Sequence, residues 1–419
     1  MTATQAPPIA QAPRIAIIGA GIAGLTTALC LARIGLSPVL FERAETLDEV
    51  GAGLQLSPNA LSVMAELGLL PALRRVAVEA GHVELRDLRS GRRIAAVPVR
   101  SGDGTPYFSI HRADLQAVLL AAVRDEPSIT LRLGAELAGL EAVGGMVALS
   151  LRGEDRPQHF ALAIGADGVR SAMAGYLQLS PPQAAGTTAW RSTISVDETG
   201  NMATAAALSG NDGTDGGPGA VVGAWLGTRH HAVAYPIRAG RAVNLVLVTK
   251  DSESGDPASV TSLFESRDRR LSALIGAAPT PTGWPLLATP ADRPFVHAGG
   301  RIVLVGDAAH AMEPYAAQGA AMAIEDAAVL ARALGDVGGA AIEAGRIEAA
   351  ARRYEAERRP RIAQVRKRVS FHRFVYHLPP PLAFGRDAVL KLRPSDALRA
   401  DLAWLYDWRA PKLGPPPAG

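Results

Sequence analysis

The chain is short of three things. It has one cysteine in 419 residues, Cys30, so an intramolecular disulfide framework and any site built from several cysteines are excluded. Cys30 falls in a helical pattern, where a free thiol acts as a buried packing residue. The chain has no run of eighteen apolar residues to cross a bilayer. It also has little net charge, +3 from 43 basic and 40 acidic residues dispersed along most of its length, which argues against nucleic acid as a partner. The opening "MTATQAPPIAQAP" has neither a basic start nor an apolar core and does not read as a secretion signal. A soluble, cytoplasmic protein without stable membrane insertion is expected, as a monomer or homodimer.

What is present points to an enzyme with a large cofactor. Hydrophobic residues make up 48% and charged residues 20%, a globular composition. The length exceeds one ordinary core, so two domains are expected. From Arg14 the sequence reads "RIAIIGAGIAGLTTALCLARIGLSPVLFER": an apolar strand, the glycines Gly19, Gly21 and Gly24, a helical pattern through Leu25, Ala28, Leu29 and Ala32, and a second strand ending at Glu42. In a dinucleotide-binding unit the first glycine makes the tight turn and the second lets backbone approach a pyrophosphate. The third allows close helix–strand packing, and the acid accepts hydrogen bonds from a ribose. Order and spacing both fit. This unit alone leaves NAD and FAD open.

Two further stretches narrow the choice. "LAIGADGVRSAM" (162–173) delivers Asp167 to a loop after an apolar strand, and "RIVLVGDAAHAMEPYAAQGAAMAIEDA" (301–327) ends a strand in Gly-Asp and then places Pro, Gln and Gly before a helix. With the glycine fingerprint they resemble the three-part signature of single-component FAD-dependent aromatic hydroxylases, in the salicylate hydroxylase-like branch. "GAGLQLSPNA" (51–60), "HRADLQ" (111–116), "AWR" (189–191), "HAVAYPIRAG" (231–240) and "WLYDWR" (404–409) match as well.

The resemblance implies an α/β fold: a Rossmann-like FAD-binding domain, a β-rich substrate domain and C-terminal helices. It implies FAD contacts from Gly19, Gly21, Gly24, Glu42, Arg43, Arg112, Asp167, Asp307, Gln318, Gly319 and Ala320. Asp307 would meet the sugar chain, and the backbone N–H groups of Gln318 to Ala320 would face the flavin ring. Pro314 would stiffen that loop. The implied reaction uses NADH or NADPH as a transient co-substrate, and O2, to hydroxylate a small aromatic compound through a flavin C4a-hydroperoxide. Candidate substrates are a phenol, hydroxybenzoate or hydroxypyridine. A non-aromatic, quinone or antibiotic-like substrate, or a reductase that inserts no oxygen, stays open. Many relatives carry His-Pro where this chain has His310-Ala311, and His310 is read as a structural residue of that turn.

The catalytic candidates are His231, Tyr235 and Tyr315. "HHAVAYPIRAGRAVNLVLVTK" (230–250) reads as two strands joined by a tight turn, and strand alternation puts His231, Val233 and Tyr235 on one face. His231 and Tyr235 are then about 13 Å apart along the strand at ~3.3 Å per residue. They line a pocket or pack in the sheet. Trp190 reads as core, and Arg191 as either a partner for a carboxylate or a surface residue. The Gly- and Asp-rich 208–220 segment reads as a mobile loop. "ARRYEAERRPRIAQVRKRVSFHRF" (351–374) is a basic helical pattern broken near Pro360, either a solvated helix on the flavin domain or a face for a membrane surface. The expected division is an FAD domain from 12–72, 104–180 and 291–350, a substrate domain from 73–103 and 181–290, and a C-terminal helical segment from 351–419. No metal site is expected.

Overall fold

The computed structural model describes residues 14–47, 51–196, 220–253, 255–336 and 344–414. The 208–220 segment lies outside these residues except for Ala220. Two sheets carry the architecture. The first has six strands, with Ile15–Ile18 inside it between Leu162–Gly165 and Pro38–Phe41. Its strands are parallel except at one edge, where Val296–His297 runs antiparallel to Ile302–Leu304. Ile15, Ala16, Ile17 and Ile18 are all buried, the unbroken apolar run of a strand covered on both faces. Helix Ile22–Arg33 follows the glycine turn, with Leu25, Ala28, Cys30 and Leu31 fully buried.

The second sheet is a nine-stranded, mostly antiparallel surface. Its strand His231–Ile237 lies between Ala220–Leu226 and Ala242–Lys250, with His231 opposite Val248, Val233 opposite Val246 and Tyr235 opposite Asn244. The expected hairpin forms, its turn being the short helical segment Arg238–Gly240. Alternation decides what each face meets. Ala232 and Ala234 join Leu245, Leu247, Trp190 and Trp225 in one core cluster, while His231, Val233 and Tyr235 face a cavity. This sheet also takes in Gly53–Leu56 and Phe108–His111, so strands from both sides of the proposed division meet in it.

The C-terminal helix differs from expectation. It runs unbroken from Ala344 to Tyr376, with Pro360 inside it. A proline removes one backbone donor and strains the preceding turn, a cost of about 3 kcal/mol in a helix interior. Side chains on either side of it offset that cost. Arg358 is 1% exposed and puts Nη1 2.6 Å from Glu325 Oε2 and Nε 2.7 Å from Asp326 Oδ1. Arg361 Nη2 reaches Glu325 Oε1 at 2.8 Å. Ile347, Ala351, Tyr354, Arg358, Ile362, Val365 and Val369 are buried, a stripe at helical spacing that packs on helix Gly319–Gly335. Arg358 is thus turned inward and Arg361, Arg366 and Arg368 are half-buried, while Arg352, Arg353, Arg359, Lys367 and Arg373 stay exposed. No helix among the described residues is long and apolar enough to cross a membrane.

Candidate active site

A cavity of about 1690 Å³ lies between the two sheets and the C-terminal helices. One arm of it runs along the glycine fingerprint. Gly19 has φ +101°, and a Cβ there would sit 2.7 Å from the carbonyl oxygen of Ala166. A Cβ on Gly24 would lie 1.8 Å from the carbonyl oxygen of Gly19, so helix and turn pack as closely as backbone allows. A Cβ on Gly21 would meet no protein atom within 4 Å; that position opens into the cavity. The first helical bond runs from Leu25 N–H to the Gly21 carbonyl, which leaves the N–H groups before it for a ligand at the positive end of the helix dipole. Glu42 accepts from the N–H groups of Ala20 (2.7 Å) and Ala44 (3.0 Å) at the cavity edge, beside Arg43.

The other sequence-derived cofactor residues converge on the same arm. Arg112 lines it, its side chain lying against Gly51. Asp167 accepts from Met173 N–H at 3.1 Å through Oδ2, while Oδ1 is buried without a hydrogen-bond partner among the described residues. Burial raises this carboxyl above the ordinary range. In its turn Ala308, Ala309 and His310 are buried and Asp307 alone faces open space. Gly306 makes that turn at φ +59°, wedged between Ala23 and Ala323, where a Cβ would come within 3.1 Å of each. Ala311 has φ −47° and ψ 137°, close to the backbone a proline would impose, so alanine at this position leaves the turn extended.

Helix Gly319–Gly335 starts beside the cavity, with Gly319 and Ala320 lining it and Gln318 at the cap position. The Gln318 side chain is buried and donates from Nε2 to Ser57 Oγ at 3.0 Å. It therefore anchors the loop, and Gly319 and Ala320, not Gln318, are the residues at this helix start that line the cavity. Ser57 and Asn59 were not recognisable as loop anchors, because their partners lie some 260 residues away in the chain.

The second arm is walled by the strand His231–Ile237. Tyr235 is 4% exposed, and Gly53 packs so closely that a Cβ there would lie 2.7 Å from the Tyr235 ring and from Asn244. Gly53 N–H donates to Asn244 Oδ1 at 2.8 Å. Tyr315 approaches from the loop before helix Gly319–Gly335, its ring centroid 5.2 Å from that of His231 and its hydroxyl buried without a partner among the described residues. Burial pushes the Tyr315 hydroxyl up to about 12 and raises Tyr235 as well. His231 is shifted the other way. Burial and the neighbouring His377 and His230 hold its pKa well below 6.5, so the imidazole is neutral at neutral pH.

Arg191 completes the wall. It pairs with Val246 across the sheet, and Val246 with Val233, which places it on the cavity face. It is not a surface residue. No carboxylate among the described residues pairs with it, its Nε is buried without a hydrogen bond, and burial lowers its pKa. Trp190, one residue earlier, turns into the core as expected. His310 has the structural role expected of it, with Nε2 2.5 Å from Asp326 Oδ2. Three further residues went unrecognised in the sequence: His372 and Tyr376, which line the cavity end near His231 and Tyr315, and His377, which packs behind His231.

A narrow, glycine-lined arm with free helix N–H groups, an orphaned Asp167 oxygen and an acid at the ribose position fits FAD, and the comparison with known proteins decides the matter. Residues 13–369 match the family model described as FAD binding domain. The chain belongs to the FAD-dependent aromatic hydroxylases. It is 34% identical to 3-amino-4-hydroxybenzoate 2-monooxygenase of Streptomyces platensis over 96% of this chain and 98% of that one. It is 32% identical to 3-hydroxybenzoate 6-hydroxylase of Klebsiella oxytoca over the same shares. A solved salicylate hydroxylase substrate complex superposes with a TM-score of 0.76 at 24% identity, covering 95% of this chain and 96% of that one, and has the same fold. The hydroxylase is accordingly a flavoprotein monooxygenase that acts on an aromatic substrate.

Proposed function

We propose that the hydroxylase uses NADH or NADPH and O2 to add a hydroxyl group to a small aromatic acid that already bears a ring hydroxyl, of the hydroxybenzoate or hydroxypyridine-carboxylate type. The balanced reaction consumes the reduced nicotinamide, O2 and a proton and gives hydroxylated product, oxidised nicotinamide and water. Bound FAD supplies the redox chemistry, accepting hydride and activating oxygen. Gly19, Gly21 and the first turn of helix Ile22–Arg33 would hold its pyrophosphate, Glu42 and Arg43 its ribose end, and Arg112 and Asp307 its sugar chain. Gly319 and Ala320 would offer N–H groups to the ring, and Asp167 would act on the nicotinamide-linked step.

The observation that carries the substrate reading is the row of side chains on the cavity face of the second sheet. His231 is buried and neutral, placed to take the ring hydroxyl proton as a general base and so raise the electron density of the ring. Tyr235 and the unsatisfied Tyr315 hydroxyl would hydrogen-bond the substrate oxygens. Arg191, a half-buried guanidinium on the cavity face whose Nε is buried without a hydrogen bond and which has no carboxylate partner among the described residues, favours a substrate that brings one. The apolar remainder of the row, Val233, Val246 and Val248, keeps water from the reacting ring. Cytoplasmic location and a monomeric or dimeric state belong to the same proposal.

The test is nicotinamide oxidation by the FAD-loaded protein against phenols, hydroxybenzoates and hydroxypyridines with and without a carboxylate, with product and hydrogen peroxide measured together. Carboxylated phenols should stimulate oxidation and yield hydroxylated product in near-equal amount. Stimulation without oxygen insertion would make the protein a reductase, and response only to quinones or bulky non-aromatic compounds would overturn the substrate class.

A further inference from the structure

Behind His231 lies a second imidazole. His231 Nδ1 and His377 Nε2 are 3.0 Å apart. His231 lines the cavity and is buried, whereas His377 stands behind it, partly exposed, immediately after the end of the long C-terminal helix. The two rings are held by Tyr315, with centroids at 5.2 Å from His231 and 5.7 Å from His377, and Tyr376 lies 5.6 Å from His231. The ring of His372 stacks on Tyr376, and its Nδ1 lies 3.1 Å from the Tyr315 carbonyl oxygen. Three separate segments thus fix one pair of nitrogens at hydrogen-bond distance.

A hydrogen bond between two neutral imidazoles contains one proton, so one ring donates and the other accepts. When His231 Nδ1 carries that proton, its Nε2 is bare and basic. When His377 Nε2 carries it, His231 Nε2 is protonated. The hydrogen bond therefore couples the protonation of the cavity-side nitrogen to a ring that reaches solvent.

We propose that His231 and His377 form a two-imidazole relay that moves the hydroxyl proton of a phenolic substrate from the cavity to solvent, with His377 as its exit. This rests on the reading of His231 as the base. The substrate O–H bond breaks and its proton joins His231 Nε2; the Nδ1 proton of His231 passes to His377 Nε2; His377 releases its own Nδ1 proton to water. No electrons change hands. The products are a phenolate in the cavity and one proton in solvent, with both rings neutral in their opposite tautomers. Reverse flow resets the pair and returns a proton to the cavity.

The surroundings favour passage over storage. His231 faces His230, His377 and the rings of Tyr315 and Tyr376, while His377 lies in the positive field of Lys250 and Arg373, near His230. A cation on either ring is unfavourable, so a single-histidine base would have nowhere to keep the proton it took.

The experiment uses FAD-loaded enzyme without a hydride donor and 4-nitrophenol as probe, following phenolate colour and release of a proton to a dissolved indicator by stopped flow. In the wild type, colour and proton release should rise together, and rates in H2O/D2O mixtures should bow downward, as for more than one proton in flight. His377→Gln should slow both signals at least about tenfold without changing the final colour, and added imidazole should restore the rate. His377→Asn serves as a second variant should the first retain less FAD. Ionisation at the wild-type rate in both variants, or a linear isotope plot in the wild type, overturns the relay. His231→Gln separates the two readings. If it is slow while the His377 variants are normal, the base stands and only the relay falls. If it too ionises normally, or if the wild type leaves the probe neutral, both fall.

Discussion

His310 Nε2 lies 2.5 Å from Asp326 Oδ2, and the same oxygen accepts the backbone N–H of Gly306 at 2.8 Å. One buried carboxylate thereby ties both ends of the turn that presents Asp307 to the cofactor arm. Its other oxygen takes Arg358 Nε, which links the turn to the C-terminal helix. Burial works against the charge on Asp326, but His310, Arg358 and the Gly306 N–H outweigh it and hold its pKa below the ordinary value.

Asp326→Ala should therefore destabilise the protein by about 3–5 kcal/mol, since it leaves Arg358 buried with half its partners. Denaturant midpoints check the size. In the wild type this contribution is fully present above about pH 3.9, the ordinary aspartate value, and is lost as the pH falls through the lower folded value. Arg358→Met should cost less than Arg358→Ala, because a side chain of similar volume fills the space.

A second acid sensitivity starts at higher pH. Burial holds His372 and His377 at about 4 and His231 lower than its ordinary 6.5. The unfolded chain binds these protons first, so the stability they support is complete above about pH 6.5 and is lost as the pH falls towards 4. Melting temperature should drop between pH 7.5 and pH 5. His372→Gln and His377→Gln should each shrink that drop, whatever they do to stability at pH 7.5.

The cofactor arm was legible in the sequence because it rests on backbone: glycines where a side chain cannot fit, between apolar strands and a helix, leave a pattern in composition and spacing. The pocket strand was legible for a similar reason, since period-two alternation assigns His231, Val233 and Tyr235 to one face whatever lies across from them. The C-terminal helix was not. Arg358 and Arg361 look like solvated charges beside Pro360, and only the buried Glu325 and Asp326 reverse that reading. His377 meets His231 across 146 residues, a contact that no local periodicity announces. Arg191 stood between two readings until the sheet register put it on the cavity face.

Gly21 and Gly24 separate binding from folding. A Cβ at Gly21 would meet no protein atom within 4 Å, whereas one at Gly24 would collide with the Gly19 carbonyl oxygen at 1.8 Å. Gly21→Val should fold, with an apoprotein melting temperature near that of the wild type, and purify colourless because the valine occupies the space of the pyrophosphate. Gly24→Val should fail to fold or melt far lower, with or without FAD. Yellow Gly21→Val protein at full FAD occupancy would refute the placement of the pyrophosphate.

Arg191 tests the substrate class. A half-buried guanidinium with no carboxylate partner among the described residues loses part of its hydration on folding, and that cost is offset when a bound anion arrives to pair with it. Hydrogen bonds to a charged group contribute about 1.5–3 kcal/mol, so Arg191→Gln should weaken binding of a hydroxybenzoate roughly 10- to 100-fold. A phenol of the same shape without the carboxylate should bind the variant as well as, or better than, the wild type, because nothing it offers pairs with the charge. Arg191→Lys should recover only part of the loss, since an ammonium lacks the two-pronged geometry that matches a carboxylate. The informative quantity is the ratio of dissociation constants for the two ligands, measured by flavin absorbance changes without turnover. A ratio unchanged in Arg191→Gln would mean that the guanidinium serves the cofactor and not the substrate; FAD retention, measured on the same protein, should then fall instead.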